Sequence, residues 1–188
     1  TWADFQSKNN NELLAILGNF VNRTIVLTHK YFDGIVPPIG KLTPEEEEMV
    51  AKIAQFPSII GDSIEKYRFR EAQAEYMNLA RLGNKYLTDT EPWKKIKEDR
   101  DEVAKIIHLS LQICASLSVL GEPFFPFTMQ KLREMLYLPI MPWNEGGRAD
   151  LLSVGEKIAP PQYLFEKIED EIIQKQVAKL EATREQNQ

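Results

Sequence analysis

Sulfur chemistry is nearly absent. Among 188 residues there is one cysteine, Cys114, so no internal disulfide can form and no cysteine-based zinc cluster can be built. It lies in the apolar run LSLQICASLSVL and is expected to pack in the core. Histidine is scarce too, limited to His29 and His108. A carboxylate-bridged metal pair in a helical bundle needs glutamate three residues before each histidine, but those positions hold Val26 and Lys105. There is no glycine-rich phosphate loop, no nucleophile elbow and no cysteine beside a base. No apolar run approaches the roughly 18 residues of a membrane span, and no signal-peptide pattern opens the chain. Neither insertion nor secretion has support, and a reducing, cytoplasmic compartment is expected. Positive charge is also in deficit: 23 basic against 28 acidic side chains leave a net −5. That excludes a broad cationic surface, so any contact with a polyanion must be local.

What is present is helical periodicity. With 43% hydrophobic and 27% charged residues, the chain has the makings of a soluble globular protein of one large or two small domains. From Phe5 to Phe32, apolar residues recur at Leu13, Leu17, Phe20, Leu27 and Tyr31, which predicts a long helix ending near Asp33-Gly34. The segment GIVPPIGKL breaks it. Thr43, Pro44 and Glu46 then provide an N-cap, a first-turn proline and a capping-box partner for a second helix, kinked at Pro57. Glu45 to Glu48 fall in its first turn, where carboxylates favour the positive dipole end. A third helix is predicted from Arg68 to Leu87, broken by Thr88 to Trp93. A fourth, from Asp99 to Leu120, is expected to be the most buried, and Gly121 and Pro123 end it. A short helix from Thr128 to Leu136, an irregular proline- and glycine-rich stretch over 137–162, and a trailing helix from Leu164 to Arg184 complete the chain. With no convincing strand pairs, the fold class is all-α, an antiparallel bundle with short links.

The polar residues hardest to explain by packing are Asn19 and Arg23, four apart on one helix face, which Asn22 and Ala15 extend. Such a pair offers a guanidinium fork and an amide to one small planar target. Trp93 follows Pro92 beside the tract Lys94-Lys95-Ile96-Lys97, a rigid indole next to local positive charge, which suits stacking on a nucleobase. From residues alone, an ordinary solvated helix face and a loop anchor remain open alternatives.

The run NFVNRTIVLTHKYFDG, residues 19 to 34, resembles the start of the helical anticodon-binding domain of methionyl-tRNA synthetase, where Asn-x-x-x-Arg precedes Phe-Asp-Gly. Residues 72 to 93, with Asn-x-Tyr and a Pro-Trp ending, resemble the same domain, as does LGEPFFPFTMQKL. The resemblance implies an anticodon-binding bundle over residues 1–160 and a linker-like trailing helix over 161–188. It places the family's anticodon readers on Asn19, Arg23 and Trp93, and another family position on Asn84. Thr88 stands where many relatives have an acidic residue, with Asp89 next to it. The implied partner is the anticodon loop of methionine tRNA, with no DNA and no membrane. Arg23 and Asn19 are then expected to donate to the O2 and N3 acceptors of the first anticodon base, cytosine, while Trp93 stacks on it.

The resemblance further implies a parent that joins methionine to its tRNA, with ATP, magnesium and zinc in a catalytic domain upstream. Neither the His-x-Gly-His-type nor the Lys-Met-Ser-Lys-Ser-type signature of class I synthetases occurs here, so this chain alone is expected to be inactive and to hold no cofactor or metal. The opening Thr1-Trp2, without an initiator methionine, fits an excised domain. The rival expectation is a non-catalytic helical scaffold that docks through Trp2, Trp143 and the Phe124-Phe125-Phe127 corner.

Overall fold

The computed structural model describes residues 1–186. The first long helix has three parts in unbroken succession: α1 (Trp2–Lys8), a wide π-helical segment (Asn9–Gly18) and α2 (Asn19–Phe32). It begins at Trp2, three residues before the predicted start, because Thr1 and Asp4 form a capping box. It stops at Asp33, whose left-handed φ of 55° precedes Gly34. The second helix, α3 (Pro44–Glu65), starts at the predicted Thr43 capping box and carries Pro57 in its interior.

The third helix, α4 (Phe69–Thr90), runs three residues past the predicted Leu87, so Thr88 to Thr90 continue it. The break falls on Glu91, in the left-handed conformation. Pro92 then starts the single turn α5 (Pro92–Lys95). Next, α6 (Arg100–Leu120) is buried along nearly its whole length, Cys114 included, and burial pushes that thiol up to about 12. The helix α7 (Pro126–Leu136) starts at Pro126 rather than Thr128, since proline suits a first helical turn.

The trailing helix is shorter than predicted. It is α8 (Asp170–Gln186), and residues 163–169 are not helical. Their backbone is bonded elsewhere: Asn10 donates from Nδ2 to the Ile168 carbonyl at 2.9 Å and accepts from its N–H at 2.9 Å. Asn9 donates to the Glu166 carbonyl at 2.8 Å and Lys131 to that of Tyr163 at 2.7 Å. A segment held by side chains of the first helix cannot also satisfy itself as a helix. Residues 187 and 188, the end of the trailing segment expected over 161–188, lie outside the described residues.

The architecture is an all-α bundle in which α2, α4 and α6 share one core around Phe20, Tyr76, Leu79, Ile106 and Leu111. Residues 137–162 are irregular apart from one short turn at Trp143–Glu145. They are fixed by α6: Gln112 donates to the Leu152 carbonyl at 2.7 Å and accepts from its N–H at 2.9 Å. A small extended contact, not foreseen from sequence, pairs Ile35 with Lys157.

The helix α4 approaches α2 closely because of Gly83. A Cβ there would lie 2.5–2.7 Å from the Phe20 ring, so only glycine lets the two backbones come together at this level. Glu46 is buried between Lys105 at 3.0 Å and the Tyr86 hydroxyl at 2.9 Å, and Lys105 also meets Glu102 at 2.8 Å. Burial raises the Glu46 carboxyl, but the Thr43 N–H, Lys105 and Tyr86 outweigh it and hold the group below its ordinary value. The acidic first turn is therefore a capping device and one end of a buried ion pair.

Candidate nucleic-acid interface

Asn19 opens α2 directly after the π-helical segment, where its N–H reaches back to the Leu14 carbonyl as well as to Ile16. Wide turns of this kind change which side chains face a neighbour and are frequent at functional sites. Here the Ile16 carbonyl accepts a hydrogen bond from Asn84 Nδ2 on α4 at 2.7 Å. A backbone carbonyl can only accept, so Asn84 must turn its amide nitrogen inward and its oxygen outward. That oxygen accepts from Asn19 Nδ2 at 3.3 Å. Asn19 therefore turns its own Oδ1 away from Asn84, without a partner among the described residues. The relay fixes the orientation of an exposed amide from a backbone atom outward.

One turn further along α2, Arg23 lies with its guanidinium carbon 5.1 Å from the centre of the Trp93 ring. This cation–π contact is worth about 0.5–1 kcal/mol at an exposed site and presets the plane of the fork. Arg23 has no carboxylate partner among the described residues, so its donors are unclaimed.

Trp93 owes its position to the end of α4. Glu91 leaves the helix with φ 45° and ψ 58°, and Pro92, buried, fixes the next turn. The indole remains 38% exposed. Together Asn22, Arg23, Val26, Leu27 and Trp93 line a recess of about 330 Å³, with apolar walls at Val26 and Leu27. That falls within the size of small-ligand clefts.

All four residues singled out from sequence thus form one row, Asn84, Asn19, Arg23 and Trp93, across two helices and a corner. The tract after Trp93 contributes less charge than expected. Lys94 is paired with Glu91 at 2.7 Å and Lys95 is half-buried, which leaves Lys97 exposed. Thr88 lies one turn beyond Asn84 on the same face of α4 and is exposed, whereas Asp89 is ion-paired to Lys85. Sequence reasoning missed the Ile16 carbonyl, Gly83 and the walls Val26 and Leu27. Leu27 falls in the apolar stripe of the first helix, and Val26 stands out as an apolar residue outside it.

The anchors of the rival scaffold expectation separate in the structure. Trp143 donates to the Pro57 carbonyl at 2.9 Å, and Phe124 and Phe125 pack on Tyr76 with ring centres 5.7 and 6.1 Å away. Trp2 and Phe127 are exposed. Both histidines serve packing: His29 Nε2 bonds the Ala159 carbonyl and His108 Nδ1 that of Pro37, each at 2.8 Å.

Comparison with known proteins adds to this geometry. Residues 36–185 match the family model described as the anticodon binding domain of methionyl tRNA ligase, a range that includes Asn84 and Trp93 but begins after Arg23. The whole chain is similar to methionine–tRNA ligases: 54% identical over 187 residues to that of Cytophaga hutchinsonii and 52% over 188 to that of Phocaeicola vulgatus. It covers 27% and 28% of those proteins, little more than a quarter of their length. Among solved structures, the apo form of Mycobacterium tuberculosis methionyl-tRNA synthetase shares the fold. Its TM-score is 0.78 at 18% identity, over 87% of this chain and 34% of that one.

Proposed function

The chain belongs to the family of the anticodon-binding domain of methionyl-tRNA ligase, and from that premise we propose that it recognises the anticodon of methionine tRNA through the row Asn84, Asn19, Arg23 and Trp93. The observation that carries this reading is the relay that holds the Asn19 amide beside an unclaimed guanidinium and a half-exposed indole. The first anticodon base enters the recess beside Trp93 and stacks on the indole, a contact worth roughly 1–3 kcal/mol per base. Arg23 donates to the N3 and O2 acceptors of cytosine. Asn19, whose Nδ2 is held by Asn84, offers its free Oδ1 to the cytosine amino group, so its role shifts from donor to acceptor. Uracil presents the opposite pattern at both positions, a carbonyl toward Asn19 and an N–H toward Arg23, and is rejected twice.

In this reading residues 1–160 form the anticodon-binding bundle and 161–188 its linker-like end. The longer protein is a cytoplasmic ligase that attaches methionine to its tRNA. Its ATP, magnesium and zinc chemistry belongs to a catalytic domain outside these residues. This chain alone is inactive in that reaction.

The test is a salt-titrated binding assay against the anticodon hairpin of methionine tRNA and the same hairpin with uracil at the first anticodon position. Wild-type protein should prefer cytosine, and Trp93→Ala should weaken cytosine binding about tenfold or more with little change in melting temperature. If Trp93→Ala collapses thermal stability while binding persists, the indole is a structural anchor and the stacking role is wrong.

A further inference from the structure

The same pair of helices continues away from the row as a furrow. The first helix and α4 run side by side in the same direction: Lys8, Leu13, Arg70 and Met77 line one stretch, and the Asn19–Asn84 and Arg23–Trp93 contacts mark the next. Along α4, Arg70, Ala74, Met77, Arg81, Asn84 and Thr88 recur at spacings of three and four, one face of a helix. The half of the furrow beyond Asn84 is a groove of about 240 Å³ floored by Leu13 and Met77 and edged by Lys8, Arg70 and Arg81. Three cations surround it against one carboxylate, Glu12, in a chain whose net charge is −5.

Neither arginine forms an ion pair among the described residues. Arg81 donates only to Asn78 Oδ1 at 3.2 Å, on its own helix. Other exposed arginines do find carboxylates, Arg148 with Asp150 and Arg68 with Glu71. At about 1.5 Å per residue, Arg81 lies roughly 4.5 Å along α4 from Asn84 and Arg70 roughly 21 Å. These charges are therefore strung out in line with the row at increasing distance, as a polyanion would require and a single small anion would not.

We propose that this groove seats the phosphodiester backbone of the same RNA strand whose base occupies the recess at Arg23 and Trp93, with Arg70 and Arg81 as its phosphate contacts. The proposal rests on the anticodon-reading role given above. It divides the furrow into a half that specifies the base and a half that positions the strand without regard to sequence. Such a local strip supplies what the net charge denies to the surface as a whole.

The experiment uses the full-length protein carrying this chain, the cytosine and uracil anticodon hairpins, and salt from about 50 to about 200 mM. In the double variant Arg70→Gln/Arg81→Gln, affinity for both hairpins should fall several-fold at low salt. The slope of log affinity against log salt should become shallower by about 1.4, near 0.7 for each lost single-strand phosphate contact. The cytosine-to-uracil preference should stay at the wild-type ratio. Arg81→Gln alone should give about half the slope change, and Lys179→Gln, on the exposed face of α8, should give none. An unchanged slope in the double variant, or an equal change in Lys179→Gln, overturns the proposal while the wild-type preference for cytosine still supports the base reading. Equal wild-type binding of both hairpins overturns the base reading itself, whatever the slopes do.

Discussion

Polar side chains on α6 and polar side chains along the furrow between α2 and α4 are treated in opposite ways. On α6 the buried Lys105, His108, Ser110, Gln112, Ser116 and Ser118 all end on a carboxylate or a backbone group. No buried side-chain nitrogen or oxygen among the described residues lacks a partner. Along the furrow the relay from the Ile16 carbonyl through Asn84 to Asn19 is anchored at one end and open at the other, and Arg23 rests on a ring rather than on an anion. Closed networks hold irregular segments to the core, since each lost partner would leave a desolvated group. An open network exposed to water costs little when empty and is complete only with a ligand. In the proposed function the difference separates polar residues that stabilise the bundle from those that recognise the anticodon.

The contrast can be broken most severely at Lys105. Replacing it with methionine leaves Glu46 buried without its cation, which should cost about 3–5 kcal/mol in urea unfolding. The cytosine preference of the remaining folded protein should not change, because the network ends on Tyr86 and Glu102 rather than on the furrow. A lost preference would mean that the two regions are coupled.

Gly83→Ala probes the seam between them. The new methyl group meets the Phe20 ring, so stability should fall by about 1–3 kcal/mol. As the helices part and the bond from Asn84 to the Ile16 carbonyl loosens, affinity for the cytosine hairpin should fall as well. Full affinity in the variant would show that the relay tolerates a wider seam.

The smallest effect is a pH dependence of the closed side. Burial holds the His108 imidazole below its ordinary pKa, although its bond to the Pro37 carbonyl opposes this. The unfolded chain therefore takes up the proton first as pH falls. The stability contributed by neutral His108 is complete above pH 6.5 and declines below it, by at most about 1.4 kcal/mol per pH unit. Glu46 acts at lower pH: its folded carboxyl lies below the ordinary value of 4.5, so its contribution is intact above that pH and declines as pH falls from there toward the folded value. Unfolding free energies measured from pH 8 to pH 5 should show the first decline in wild type and a flat line between pH 5 and 6.5 in His108→Gln.

How much of this was legible in sequence follows the same division. Helices were visible wherever a cap or a period marks them locally, as at Thr43 with Glu46 and along the apolar face of α6. The start of α8 was not, because residues 163–169 are drawn out of helical geometry by Asn9 and Asn10, more than 150 positions away. The pairing of Asn19 with Arg23 could be read from a spacing of four, and Trp93 from its proline. Asn84 entered only through family resemblance, and its orienting role needs a backbone carbonyl that no sequence pattern announces. Lys105 had a faint signal as a lone cation inside an apolar helix. The strip of Lys8, Arg70 and Arg81 had none, since it joins residues some sixty positions apart.

In the proposed function Arg23 reads the pairing edge of the first anticodon base. A double-mutant cycle between Arg23→Ala in the protein and cytosine→uracil in the hairpin measures that contact directly. A coupling of about 1.5–3 kcal/mol is expected, the range for hydrogen bonds to a charged group, with the variant nearly indifferent to the base. If the two changes add, so that Arg23→Ala weakens both hairpins equally and keeps the wild-type preference, Arg23 does not read the base.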